Sequence, residues 1–259
     1  MEYNPGFNID VDTNNMEFIY GKDVFGPTSE KRKLEDVRQT LKDYNSKGPE
    51  ILYSIAMDTG KEAHIKDLQK RNLLYGMCIY ASGQIGEEPI RSQGHIHAIS
   101  PSCNYSTPEM YEILQGEAYI FMQKGANSET KEAYAILCKA RDKILVPPGY
   151  AHYTVNANPH EPMVFGAWCV RDYGFDYRDV RKMGGLSYFP IINEKEEITF
   201  EPNETYGKTK LIIKEPREYI EFNVKKDIPI YEQYEIEPAR FDFVTEPQRY
   251  MELWEEFTP

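Results

Sequence analysis

The chain is short of positive charge. Its 259 residues carry 42 Asp and Glu against 30 Lys and Arg, a formal net charge of -12. A phosphate backbone needs a basic face, so this balance argues against a nucleic-acid binder. A small anionic ligand stays open, because it needs only a few local donors. Long apolar runs are missing too. None approaches the roughly 20 residues that span a bilayer, so no membrane partner is expected. The first residues, Met1 to Asn15, hold Glu2, Asp10 and Asp12, with neither a basic leader nor an apolar segment. No secretory signal is expected there, and the expected location is the cytoplasm. Cysteine is scarce: Cys78, Cys103, Cys138 and Cys169 lie far apart with no CxxC pair. That argues against a thiolate metal site or a disulfide scaffold and fits a reducing compartment. With 17 Gly and 17 Pro and no periodic repeat, collagen-like and low-complexity readings fall away.

What the chain has in quantity is aromatic residues, 20 Tyr and 12 Phe, which favour pleated strands. The apolar pattern predicts strands over 51–57, 72–80, 109–115, 117–123, 133–138, 143–146 and 163–170. Turn signals such as Gln115-Gly116-Glu117 and Pro147-Pro148-Gly149 separate them. Many short strands at this spacing predict a mainly β barrel or jelly roll. One helix is expected before them. Thr28 or Ser29 would cap it, and Leu34, Val37, Leu41 and Tyr44 would form its apolar stripe. The reading divides the chain into a barrel with its helical segment over 1–190 and an acidic extension over 191–259. Strands are expected in the extension at 210–214, 219–224 and 231–236, with a short helix at 251–257.

Histidine is rare, with five in all. Three fall in patterned segments, Gly94-His95-Ile96-His97 and Pro147-Pro148-Gly149-Tyr150-Ala151-His152. Positions i and i+2 of a strand share a face, so His95 and His97 form a pincer for a divalent metal. His152, from a later strand, would close the site. Glu109, opening Glu109-Met110-Tyr111-Glu112-Ile113-Leu114-Gln115-Gly116, is the carboxylate candidate. Three imidazoles and one carboxylate suit Fe, Mn, Ni, Cu or Zn better than Ca or Mg. Four protein ligands would leave two octahedral positions for a bidentate substrate.

These segments together resemble the two-motif pattern of the cupin superfamily: His-x-His, a Glu with a Gly seven residues on, then Pro147, Gly149, His152 and Asn156 in register. The gap from His97 to Glu109 is long for that pattern, so Ser100 to Ser106 reads as an inserted loop at a strand tip. Arg141 stands where a turn glycine is usual. Within the superfamily the chain is similar to the cupin-type phosphoglucose isomerases. The likeness is carried by Ser92-Gln93-Gly94-His95-Ile96-His97, Pro108 to Gly116, Val146 to Asn156 and Gly174-Phe175-Asp176-Tyr177. It runs from about Asp23 to Asn193.

The resemblance implies a double-stranded β-helix and a metal-dependent isomerase that interconverts glucose 6-phosphate and fructose 6-phosphate. It implies one divalent transition metal (Fe, Mn, Ni or Zn) on His95, His97, Glu109 and His152. It implies a sugar phosphate as the small-molecule partner, contacted by Ser92, Gly94, Tyr111 and Tyr177. Phe175 stands where that family has a histidine, and Cys169 where a phosphate-contacting tyrosine is common. A homodimer is expected, since cupins pair through barrel-edge strands and so cover exposed edges.

The chemistry follows from the residues as well. An aldose–ketose isomerase must move a hydrogen between adjacent carbons. A metal on the two neighbouring oxygens stabilises the developing negative charge, and a carboxylate beside it, Glu109, can shuttle the proton. Metal-directed hydride transfer is the other route. Tyr111 shares a strand face with Glu109 and can donate to a substrate oxygen or simply pack. Arg91 and Arg171 can neutralise a phosphate or lie on the surface. Two other readings fit the same ligand set: a metal-dependent oxygenase, and a non-catalytic sugar-binding cupin.

Overall fold

Alternating side chains build two sheets that share one interior. In the computed structural model, which describes residues 3–259, the larger sheet has seven strands. Its path runs Lys143–Val146, Glu109–Gln115, Met163–Val170, Leu73–Tyr80, Ile51–Lys61 and Val24–Phe25, all antiparallel neighbours, with Glu30–Lys33 also pairing onto Ile51–Lys61. The second sheet runs Tyr150–Asn156, Glu117–Lys124, Glu132–Lys139 and Lys210–Lys214, the last pairing parallel. This is the jelly-roll architecture that the motifs implied.

The period of two decides what each strand offers to either side. Along Glu109–Gln115, Tyr111 and Ile113 point into the barrel, where they meet Ile120 and Met122 of the smaller sheet. Met110 and Leu114 point out, into a second apolar layer. Leu73–Tyr80 is buried along its whole length because both its faces are covered. The cover on the outer face is the chain's own tail. Tyr231 stacks on Trp168 at 5.3 Å between ring centroids, and the Trp168 indole N–H donates to the Ile230 carbonyl at 3.1 Å.

The tail departs from its expected secondary structure. Lys210–Lys214 is a strand, as the pattern predicted, and Met251–Glu255 is the short terminal helix. The expected strand over 231–236 is instead the α-helix Ile230–Ile236, and 219–224 holds only the 3-10 turn Ile220–Phe222. The buried set Ile230, Tyr231, Gln233 and Tyr234 has helical spacing, and packing on Trp168 outweighs the strand propensity of the aromatics. At the other end the expected helix shrinks. Glu30–Lys33 joins the sheet, the α-helix is Leu34–Val37 alone, and Arg38–Thr40 continues as a 3-10 turn. Leu34, Val37 and Leu41 are buried as the stripe required, but Tyr44 is 55% exposed. A helix of so few turns is weak alone, so an open strand edge captures its first residues.

One buried ion pair ties the tail to the barrel. Lys143 Nζ lies 3.2 Å from Glu112 Oε1 and donates to the Lys226 carbonyl at 2.7 Å. The other Glu112 oxygen accepts the Ile230 N–H at 2.7 Å. Burial pushes the Glu112 carboxyl up against the pull of Lys143. Lys143→Met should therefore cost about 3–5 kcal/mol, the penalty of stranding a buried charge. Urea unfolding tests this, and wild-type stability in the variant would refute it. A second expectation concerns Arg141, which holds the turn at φ 82 where glycine is usual. Arg141→Gly should raise stability by about 0.5–1 kcal/mol, because relief of left-handed strain exceeds the added chain entropy. A lower denaturation midpoint would contradict that.

Candidate metal centre

The site is assembled where the two sheets close on each other. His95 and His152 exchange backbone hydrogen bonds, with the His95 N–H on the His152 carbonyl at 3.0 Å and the reverse bond at 2.9 Å. Gly94, at φ 88, makes the approach into this bridge, a conformation that side chains other than glycine resist. His97 lies in Ile96–His97, which pairs with Phe175–Asp176. Glu109 opens its strand opposite Val146, just before the Pro147-Pro148-Gly149 turn. One ligand atom from each of His95, His97, Glu109 and His152 lies within 4.8 Å of the others. A single ion can bridge that span with small side-chain adjustments.

Outer partners orient each group. A Nδ1–H on His97 donates to the Thr107 carbonyl at 2.7 Å, and one on His152 to the Tyr150 carbonyl at 3.2 Å, which turns both Nε2 atoms inward. Ser106 Oγ donates to the His97 carbonyl and accepts the Gly149 N–H, joining the two motifs. The expected insertion is a small hairpin, Ile99–Ser100 with Tyr105–Ser106, anchored where Asp172 accepts from Ser100 and the Ser102 N–H. Glu109 Oε2 is 3.2 Å from His97 Nε2, 3.6 Å from His152 Nε2, and accepts the Tyr111 hydroxyl at 2.7 Å. Its Oε1 accepts the Cys169 thiol at 2.9 Å.

The electrostatics fit a metal. Burial would raise Glu109, but the close approach of His152 and His97, with their charge, holds it well below the usual carboxylate range. Burial, then repulsion from His152 and His97, drives His95 well down. His152 is also lowered, chiefly by burial. His97 goes the other way: burial opposes, but the Glu109 hydrogen bond and charge prevail. Burial and the neighbouring Glu109 keep Tyr111 a phenol and Cys169 a thiol. The Nε2 atoms of His95 and His152 are buried without a hydrogen-bond partner among the described residues. An unpaired buried nitrogen is costly, and a bound cation would satisfy both.

The cluster opens into a cavity walled by Tyr53, Tyr80, Ser92, Tyr111, Thr154 and Tyr177, with Ile55, Met57, Phe165 and Phe175 as its apolar part. Ser92 and Tyr177, two of the expected substrate contacts, both lie on this wall. Ser92 Oγ also accepts the Thr154 N–H at 3.1 Å. Gly94 sits behind the wall, its α-carbon facing the His152 carbonyl, Val180 and Leu186. Phe175 covers His95 with ring centroids 4.5 Å apart. The two arginines singled out as phosphate candidates are engaged elsewhere. Arg91 is buried against Glu88 at 2.6 Å and donates to the Thr40 carbonyl, and Arg171 pairs with Asp58 and donates to the Leu73 carbonyl. Arg32, which the pattern assigned to a packing helix, instead stands beside Tyr53. No motif marks it, and only the strand pairing brings it there. His64 meets the Tyr231 hydroxyl at 3.1 Å, and His160 is an exposed neighbour of Glu196.

Metal uptake by this cluster should release protons at and above the ordinary imidazole range, because His97 titrates above its ordinary value and must be neutral to bind. Affinity should then fall as pH drops through that range. Calorimetry of Mn or Zn binding in buffers of different ionisation enthalpy measures the release. Identical heats in all buffers would show that no imidazole proton leaves. His152→Ala should lose more than the roughly 10–100-fold in affinity that removal of an outer-sphere partner costs.

The family model described as glucose-6-phosphate isomerase (GPI) matches residues 31–206. The Rhizobium meliloti (strain 1021) protein named "Putative glucose-6-phosphate isomerase 2" is 31% identical over 115 residues, covering 44% of this chain and 52% of that one. The glucose-6-phosphate isomerase of Sinorhizobium medicae (strain WSM419) is 28% identical over 115 residues, covering 44% and 49%. The chain thus spans about half the length of the curated relatives it matches. Among solved structures, vicilin from Corylus avellana (hazelnut) is similar over 48% of this chain and 32% of that one, at 12% identity and a TM-score of 0.35. The matched stretch 31–206 holds every residue of the His-Glu cluster and most of the barrel, and the chain belongs to the glucose-6-phosphate isomerase family in its cupin form.

Proposed function

We propose that the chain is a metal-dependent aldose–ketose isomerase that interconverts glucose 6-phosphate and fructose 6-phosphate. The observation that carries this reading is the cluster of three imidazoles and a carboxylate at the wall of one hydroxyl-rich cavity, in a chain of this family. With it go a sugar phosphate as partner and a cytoplasmic, homodimeric enzyme.

His95, His97, Glu109 and His152 would hold the divalent metal, with Fe, Mn, Ni and Zn as candidates. When bound, that ion supplies Lewis acidity that stabilises negative charge on the two substrate oxygens. The remaining work falls to the chain. The two oxygens of Glu109 have different surroundings: Oε2 faces the imidazoles and the Tyr111 hydroxyl, while Oε1 takes only a thiol. A thiol is a weak donor, so Oε1 is the less encumbered of the two oxygens. We assign to it the proton shuttle: it takes the proton from C2 of the open-chain aldose and returns it to C1, while O2 loses a proton and O1 gains one. Tyr111 keeps the carboxylate in place through its 2.7 Å bond. The apolar wall of Ile55, Met57, Phe165 and Phe175 keeps bulk water from the reacting carbons.

The test is turnover of glucose 6-phosphate after chelation and reconstitution with each candidate metal, beside Glu109→Gln with its metal content measured. Metal-dependent turnover, reduced at least about 10²–10⁴-fold in the variant, is the expected result. A protein with metal bound and no turnover with any of the four ions would sink the reading.

A further inference from the structure

Outside the His-Glu cluster, one charged group stands beside the cavity wall with only an exposed carboxylate as its ion-pair partner. Arg32 lies in Glu30–Lys33, directly opposite Tyr53 of the Ile51–Lys61 strand. Directly opposed residues of antiparallel strands share a face, so the Arg32 side chain stands on the side where Tyr53 walls the cavity. Four wall residues, Tyr53, Tyr177, Cys78 and His95, lie within reach of its charge. Its Nε is buried and has no hydrogen-bond partner among the described residues. Its ion pair is with Glu30 at 3.0 Å, and that carboxylate is 63% exposed. A pair with so exposed a carboxylate contributes little, so Glu30 can be exchanged for a better anion.

The neighbouring arginines do not compete for this position. Arg91 and Arg171 are engaged as described above. Arg181 is exposed, stacks over the Tyr177 ring and donates to Gln93 at 2.9 Å. Arg178 is exposed and pairs with Asp176. The charge balance of the whole chain sharpens the need for a cation here. At a net charge of -12, the protein repels a dianion until a local cation offsets the field.

We propose that Arg32 is the specificity-determining cation of this cavity and binds the phosphate group of the substrate. The proposal rests on the sugar-phosphate reading above and adds to it the residue that would distinguish a phosphorylated sugar from a free one. A planar guanidinium suits a phosphate through paired N–H donors, and its unpaired Nε supplies one of them. Arg32 would act on binding and leave the hydrogen transfer to Glu109.

Steady-state kinetics on the metal-reconstituted protein test this, with glucose 6-phosphate as substrate and inorganic phosphate as competitive inhibitor. Arg32→Gln should raise KM about 10–100-fold with little change in kcat, the range expected from losing a charge-assisted hydrogen-bonded pair. Phosphate inhibition should weaken by a similar factor. Arg32→Lys keeps the charge without the fork and should show a smaller rise. It also serves as the working variant if circular dichroism shows that Arg32→Gln is unfolded. Unchanged KM and phosphate inhibition in these variants, or a fall in kcat alone, would overturn the assignment. If the wild type turns over no hexose 6-phosphate, the isomerase reading has failed, and calorimetry with inorganic phosphate decides for Arg32 separately. Binding by the wild type that is lost in Arg32→Gln upholds the site. Equal binding by both, or none by the wild type, removes it.

Discussion

The carboxylate of Glu109 is the constraint around which the barrel interior is arranged. A buried carboxylate is expensive unless its lone pairs are satisfied. Here they face two imidazole Nε2 atoms, a tyrosine hydroxyl and a thiol, each from a different position on the chain. His97 comes from the first motif, His152 from the second, Tyr111 from the carboxylate's own strand and Cys169 from the strand beside it. The hydrogen bonds between His95 and His152 bring the motifs together, and Ser106 joins the same two segments a second time. Two imidazole nitrogens remain without a partner among the described residues, and that deficit distinguishes the cluster from a closed polar core and suits it to a cation.

Around this centre the wall divides its labour. Hydroxyl groups on Tyr53, Tyr80, Ser92, Tyr111 and Thr154 offer short, orientable donors, while Phe165 and Phe175 exclude water. Cys169 supplies a thiol where the other partners of Glu109 are imidazoles and a hydroxyl. It reaches Glu109 with a thiol and so leaves one carboxylate oxygen lightly held. The charged side chains nearby divide in the same way. Arg91 and Arg171 are spent on structure, the first fully buried between Glu88 and Thr40 and the second held on Asp58 by both terminal nitrogens, whereas Arg32 has only the exposed carboxylate of Glu30 as its ion-pair partner.

The long tail gives the barrel its second apolar face. Trp168, Tyr231 and Tyr234 fill it, and Lys143 with Glu112 fastens it. The strand Met163–Val170 therefore serves two layers at once. Trp168 faces the tail, and its neighbour Cys169 faces the metal cluster. Events at the tail and geometry at Glu109 are separated by a single peptide unit.

Much of this was legible in the chain itself. The strand pattern places 109–115, 143–146, 163–170 and 210–214 at the bounds observed, because period-two burial is written residue by residue. The four ligand candidates were readable for a related reason: the i, i+2 spacing and the turn glycine are local facts. Where local preference and packing disagreed, the sequence misled. Tyr231 to Ile236 has the aromatic content of a strand, yet helical packing on Trp168 decides its form. Glu30 to Lys33 was read as helix and became an edge strand once Ile51–Lys61 offered it partners. The roles of Arg91, Arg171 and Arg32 depended on contacts up to 113 residues apart in the chain. The sequence by itself determined which residues are candidate metal ligands and which segments alternate. Only the tertiary structure decided which charges are spent and which stand beside the cavity wall, because a side chain's partners are set by strand register and sheet closure.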